Sequence, residues 1–178
     1  MTFIGGRAFY NCTSLTSITI PGGVTSIGYR AFYGCTSLKS ITIGDGVTSI
    51  GGNAFYGCTS LTSITIPDSV TSIGESAFFG CSSLTSIAIP DSVTRIGDYA
   101  FVHCTSLRSI AIPAAVEVIR NGVSDNCTSL TKLIFLGDVP QDKTGLINTF
   151  PTIYRKPESK GWDDKWSRRP VELISEKP

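Results

Sequence analysis

In the stretch LTSITI, residues 61–66, Leu61, Ile64 and Ile66 face one side and Thr62, Ser63 and Thr65 the other. The alternation of Ile64 and Ile66 and the β-branched content predict a strand. Pro67 fixes φ and removes a donor, which ends the strand at a corner, and Asp68 suits the turn that follows. VTSIG, residues 70–74, predicts a second short extended piece, with Val70 and Ile73 inward and Gly74 allowing a tight bend. NAFYGC, residues 53–58, places Ala54, Phe55 and Cys58 on a short helical or 3-10 turn. No segment sustains a helical period for three turns.

This pattern recurs. Cysteine stands at Cys12, Cys35, Cys58, Cys81, Cys104 and Cys127, always 23 residues apart. Leucine keeps step at Leu15, Leu38, Leu61, Leu84, Leu107 and Leu130, and phenylalanine at Phe9, Phe32, Phe55, Phe78 and Phe101, until Ser124 breaks the column. A partial repeat at 1–20 precedes full repeats at 21–43, 44–66, 67–89, 90–112 and 113–135. A unit this small cannot enclose its apolar face, so successive units must cover one another, with strands stacked about 4.8 Å apart. Each recurring side chain then lies over its own copy. One buried Phe contributes roughly 1.5–3 kcal/mol, so the Phe column is a main support of a domain whose net stability is about 5–15 kcal/mol. The reading is a β-rich solenoid.

The phrase LTSITIPDSVTSIGESAFFGC, residues 61–81, resembles the 23-residue leucine-rich repeats of the bacterial surface protein A-like (BspA-like) family, and the resemblance covers residues 1–135. It implies a slightly curved, right-handed stack with a parallel concave sheet of LTSITI strands, short second strands and short helical or 3-10 turns. It also implies a secreted or surface-displayed protein that attaches to host or extracellular-matrix proteins. TIYRKPESKGWDDKWSRRPVEL, residues 152–173, resembles the tail that closes such arrays. Residues 136–178 are accordingly expected to form a C-terminal cap, with Tyr154 and Trp162 packed over the last coil.

The ends depart from the repeat. Met1 falls in the slot of Val24, Val47 and Val70, so the first coil has no amino-terminal cap, and a longer natural chain or a truncated one is expected. Toward the other end Arg120 replaces the bend glycine, and Val123–Ser124 replaces Ala–Phe. Residues 136–178 then carry 15 of the 29 charged residues, 8 basic and 7 acidic.

Composition narrows the classes. The chain is 41% hydrophobic and 16% charged, and its apolar runs fall short of the roughly 18 residues of a membrane span. A net charge of +1 argues against a nucleic-acid partner, which needs a concentrated basic surface. MTFIGGRAF lacks the basic start and apolar run of a signal peptide. A monomer is expected.

Candidate chemistry is sparse. Stacked cysteine copies point the same way from parallel backbones, which disfavours disulfides, and they lack the close ligand pairing of a zinc site. An inert ladder of buried thiols fits better. His103 beside Cys104 invites a Cys–His protease reading, but it fills the surface slot of Gly34, Gly57 and Gly80. Asp45, Asp68 and Asp91 form a column at successive corners, yet one carboxylate per coil is far from the 6–8 oxygens of calcium. No catalytic, metal or cofactor-binding residue is assigned.

Two surfaces could hold a partner. The concave row carries Lys39, Thr42, Thr62, Thr65, Thr85 and Arg108, flat and nearly uncharged apart from Lys39 and Arg108. The second is an aromatic stripe of Tyr10, Tyr33, Tyr56 and Phe79, continued by Val102, with partial burial between coils expected. The reading is a non-catalytic protein-binding module, with adhesion implied by the resemblance. The alternatives are a structural spacer in a longer chain and, remotely, an ice-binding threonine surface, which Lys39, Ala88, Arg108 and Ala111 interrupt.

Overall fold

The computed structural model describes residues 2–119, 122–141, 151–166 and 169–174. Its strands run β1 (Thr2–Ile4), β2 (Ser17–Ile20), β3 (Val24–Ile27), β4 (Ser40–Ile43), β5 (Ser49–Ile50), β6 (Ser72–Ile73), β7 (Arg95–Ile96) and β8 (Ser109–Ile112). Beyond these lie β9 (Lys132–Phe135), β10 (Thr152–Arg155), β11 (Lys165–Trp166) and β12 (Arg169–Leu173). The chain winds as a β-solenoid in which each residue lies beside its copy one repeat on: Ile18 pairs with Ile41, Ile50 with Ile73 and Ile110 with Leu133, all in parallel.

Alternation sets the core. Along β4 the burial runs exposed, buried, exposed, buried, so that Ile41 and Ile43 enter the interior while Ser40 and Thr42 face out. Val70 and Ile73 do the same from the opposite wall, and Ala54, Phe55, Cys58 and Leu61 close the third side. The Phe rings superpose as offset stacks, with centroids 4.9, 5.3, 5.4 and 5.5 Å apart from Phe9 through Phe101 and planes within 9° of parallel. At the end of the column Ser124 is fully buried, and its hydroxyl has no hydrogen-bond partner among the described residues.

The two walls differ from the expected arrangement. The VTSIG pieces form a five-stranded sheet in the order β1-β3-β5-β6-β7. The LTSITI pieces form no continuous sheet: β2 and β4 pair at one end and β8 and β9 at the other. Between them only the bridges Thr65–Ala88 and Ile87–Ile110 remain. Two of the bonds into the interrupted stretch are also long. On the VTSIG wall Thr71 N donates to Thr48 O at 2.9 Å, whereas on the LTSITI wall Thr62 N reaches Lys39 O, and Arg108 N reaches Thr85 O, only at 3.4 Å.

The AFYGC segment is not a helical turn. Ala54, Tyr56 and Cys58 each donate to the carbonyl three residues back, but Phe55 N and Gly57 N donate to Ala77 O and Phe79 O of the next coil, both at 2.8 Å. Left-handed φ values at Asn53 (+56°) and Gly57 (+70°) turn these alternate N–H groups outward, and a helix would need them inside. The same slots are left-handed at Arg30, Ser76, Tyr99 and His103. The coils are thus joined by backbone bonds on this side as well.

The bend glycines serve closeness rather than a special φ. A Cβ on Gly74 would lie 2.5 Å from Gly52 N and 2.7 Å from Gly51 C, and one on Gly51 would lie 2.8 Å from Gly28 C. Gly28 and Gly97 are equally crowded by the backbone of the coil before. Met1 and Arg120 lie outside the described residues.

Past residue 135 the sheet continues with shortened coils. β10 joins β9, pairing Ile153 with Leu133, and β12 joins β10, pairing Ile153 with Val171, both parallel; β11 is antiparallel to β12. Tyr154 does not pack over the last coil. Its neighbour Ile153 is fully buried, so alternation turns Tyr154 to the outer face, where the ammonium of Lys132 lies 5.7 Å from its ring centroid. Trp162 packs against Phe135 at 5.0 Å, and the almost wholly buried Trp166 meets Phe135 edge-on at 5.1 Å.

Gly74→Ala is expected to cost about 1–3 kcal/mol, because the added methyl meets backbone that cannot move aside. Gly23→Ala, where the methyl meets open space, should stay within about 0.5 kcal/mol of the parent. Urea unfolding of both variants measures the difference.

Candidate functional site

Each thiol of the ladder is built into a coil junction. Cys58 Sγ donates to Phe32 O at 3.2 Å, Cys81 to Phe55 O at 3.2 Å, Cys104 to Phe78 O at 3.2 Å and Cys127 to Phe101 O at 2.9 Å. All six cysteines are free; Cys12 is half-buried and the other five are buried. Burial pushes the Cys35 and Cys58 thiols up, and Cys81 is pushed up to about 12. The neighbouring Cys127 side chain, and then burial, raise the Cys104 thiol. A nucleophilic or metal-binding cysteine needs the opposite shift, toward thiolate. Among the described residues no three His, Cys, Asp or Glu side chains converge as metal ligands.

His103 is exposed, holds a left-handed φ of +60° and meets Phe79 edge-on at 5.2 Å, so it ends the aromatic stripe. Asp45, Asp68 and Asp91 are exposed corner residues.

On the LTSITI wall Lys39, Thr42, Thr62, Thr65, Thr85 and Arg108 are all exposed. The Thr62 hydroxyl donates to Lys39 O at 3.5 Å and that of Thr85 to Thr62 O at 3.3 Å. These two hydroxyls already spend their proton on the preceding coil, and the cations of the wall are Lys39, Arg108 and, on β9, Lys132. On the neighbouring side Tyr10, Tyr33, Tyr56 and Phe79 stack at 5.0, 4.7 and 4.6 Å with planes within 11°. Tyr10 is 40% exposed, the next three are half-buried, and Val102 is buried. Face-to-face stacking presents ring edges to solvent, so the stripe is less of an adhesive face than a row of exposed rings would be.

One feature has no counterpart in the repeat code. An open cleft of about 820 Å³ lies on the VTSIG wall beside β7, lined by Ser72, Gly74, Arg95, Gly97, Asp98 and Glu117 among others. It opens where VEVI, residues 116–119, stops continuing the sheet beyond β7. The code predicts pairing there, so only the folded chain reveals the gap. Its lining carries no thiol or imidazole.

Thiol titration of the folded protein is expected to label Cys12 ahead of the other five, which should react only on unfolding. Because burial raises the folded Cys81 thiol above its ordinary value of 9.0, its contribution to stability is whole below about pH 9 and is lost as pH rises through the folded value. For Cys81 the loss is about 1.4 kcal/mol per pH unit across that window. Urea unfolding at pH 8 and pH 11 should show stability falling less steeply in Cys81→Ala than in the parent.

A profile described as the BspA type leucine-rich repeat region matches residues 2–136 in six copies. No curated protein matches the chain at a comparable level. Among solved structures, a leucine-rich repeat protein of T. pallidum superposes with a TM-score of 0.73 at 33% identity, over 86% of this chain and 66% of its own. A leucine-rich repeat protein of Eubacterium ventriosum superposes with a TM-score of 0.55 at 25% identity, over 70% of this chain and 43% of its own. This chain therefore spans less than two thirds of the length of each. Six matched copies over residues 2–136, with Cys and Leu repeated in every coil and Phe in the first five, place the chain in the BspA-type leucine-rich repeat family.

Proposed function

We propose that the chain is a non-catalytic protein-binding module that acts at a bacterial surface, in attachment to host or matrix proteins. The observation that carries the binding reading is the repeat stack itself, a rigid scaffold holding rows of exposed side chains in fixed register. Proteins of this repeat family commonly serve as interaction modules, and the raised thiol pKa values speak against nucleophilic cysteine chemistry. Adhesion and surface location are the finer part of the proposal.

The spacer reading draws on one observation. The LTSITI wall is short of the Trp, Tyr and Arg anchors that dominate interfaces, and Lys39 and Arg108 stand three coils apart on it.

Binding of the chain to an immobilised extracellular-matrix preparation tests the reading. Saturable binding is expected, and the double variant Lys39→Glu, Arg108→Glu should weaken it about tenfold or more, as loss of interfacial charge contacts does. Binding unchanged in that variant would remove the LTSITI wall from the interface. Absence of saturable binding by the parent would favour the spacer.

A further inference from the structure

We propose that a cluster of two arginines and three tyrosines on the first two coils, away from the LTSITI wall, recognises an acidic peptide segment of a partner protein. This rests on the protein-binding reading and names a partner chemistry for it.

Residues 1–44 contain Arg7, Arg30 and Lys39 and neither aspartate nor glutamate. Arg7 and Arg30 occupy the same slot of successive coils, which places them one coil apart, about 4.8 Å at the backbone. The slot is left-handed, with φ of +61° at Arg7 and +57° at Arg30. Later coils fill it with Asn53, Ser76, Tyr99 and Gly122, so arginine in two successive coils is a feature of this end of the stack and not of the turn. The Arg30 guanidinium carbon lies 4.9 Å from the Tyr29 ring centroid and 5.2 Å from that of Tyr33. Tyr29 is 50% exposed and Tyr10, stacked on Tyr33, is 40% exposed.

Among the described residues Arg30 Nε is buried without a hydrogen-bond partner. Along the slot of Tyr29 the next coil offers Gly52, and the first acid, Glu75, stands two coils away, roughly 10 Å along the stack. A guanidinium resting on aromatic rings is held in orientation; with Nε buried, the terminal Nη N–H groups are the ones left to meet a carboxylate, which they can grip with two bonds. Tyrosine and arginine are also the side chains that anchor protein interfaces. Two cations match one or two carboxylates of a short segment, whereas a nucleic acid or a sulfated glycan draws on a broad basic field. A chain of net charge +1 does not supply one.

The test uses the full chain and a fluorescein-labelled octapeptide of alternating glutamate and glycine, followed by fluorescence anisotropy in low salt. Saturable binding is expected, with at least tenfold weaker binding of the octapeptide in which glutamine replaces glutamate. Arg7→Gln with Arg30→Gln should weaken binding at least tenfold. Arg30→Lys, which keeps the charge and loses the planar fork, should weaken it about fivefold. Circular-dichroism melts verify that both variants remain folded, and a variant that does not is replaced by Tyr29→Ala, expected to lose about threefold. Equal binding of the glutamine octapeptide, unchanged affinity in the folded arginine variants, or tighter binding of a heparin-derived hexasaccharide would overturn the proposal. Loss of octapeptide binding in Lys39→Gln with Arg108→Gln, but not in the Arg7 and Arg30 variants, would also overturn it and leave the protein-binding reading standing.

Discussion

Backbone bonds from each coil to the next are the constraint on which everything else in this molecule depends. Phe55 N and Gly57 N donate forward at 2.8 Å on one side, and Thr71 N donates backward at 2.9 Å on another. They fix each coil directly over its neighbour, and stacked rings, thiol-to-carbonyl contacts and threonine hydroxyl bonds follow from that registry. The glycine column at Gly28, Gly51, Gly74 and Gly97 exists because coils this close leave no room for a Cβ. Each stacked Phe pair adds about 0.5–1.5 kcal/mol beyond the area it buries. The left-handed φ at Arg30, Ser76 and Tyr99 costs about 1–2 kcal/mol per residue, and it is tolerated because it aims the connecting N–H groups.

The period and the inward set were legible in the sequence because they are composition repeated in place. Cysteine every 23 residues, Phe55 over Phe78 and the Ile64/Ile66 alternation all translate directly into stacked copies. The turn at NAFYGC was not legible. Its geometry hangs on two left-handed residues, and a slot filled by Arg30, Asn53, Ser76 and Tyr99 in turn carries no common chemical signal. The sequence marks Gly74 as a bend residue, but what requires glycine there is contact with the neighbouring coil's backbone, a tertiary property. Trp166, which seals against Phe135, lies in a charged tail outside the period and had no repeat to mark it. The cleft beside β7 arises where pairing stops, and a periodic code shows only where pairing should continue.

The same architecture explains why chemistry is thin and surface is plentiful. Residues that recur are consumed in joining coils: thiols donate to carbonyls, and threonine hydroxyls such as those of Thr62 and Thr85 do likewise. On the proposed binding reading, recognition falls to whatever varies from coil to coil at outward slots. Lys39 and Arg108 are such variations on one wall; Arg7, Tyr29 and Arg30 are the denser group at one end of the stack, and the charges of Arg95, Asp98 and Glu117 line the cleft.

Native-state hydrogen exchange by NMR tests the central claim most directly. If inter-coil bonds hold the stack, the amides of Phe32, Phe55, Gly57 and Phe78 exchange only through global unfolding, with protection free energies that match the unfolding free energy. Exchange of these amides as fast as those of Thr62 and Arg108, whose bonds span 3.4 Å, would show that the coils are held by side-chain burial alone and contradict the account.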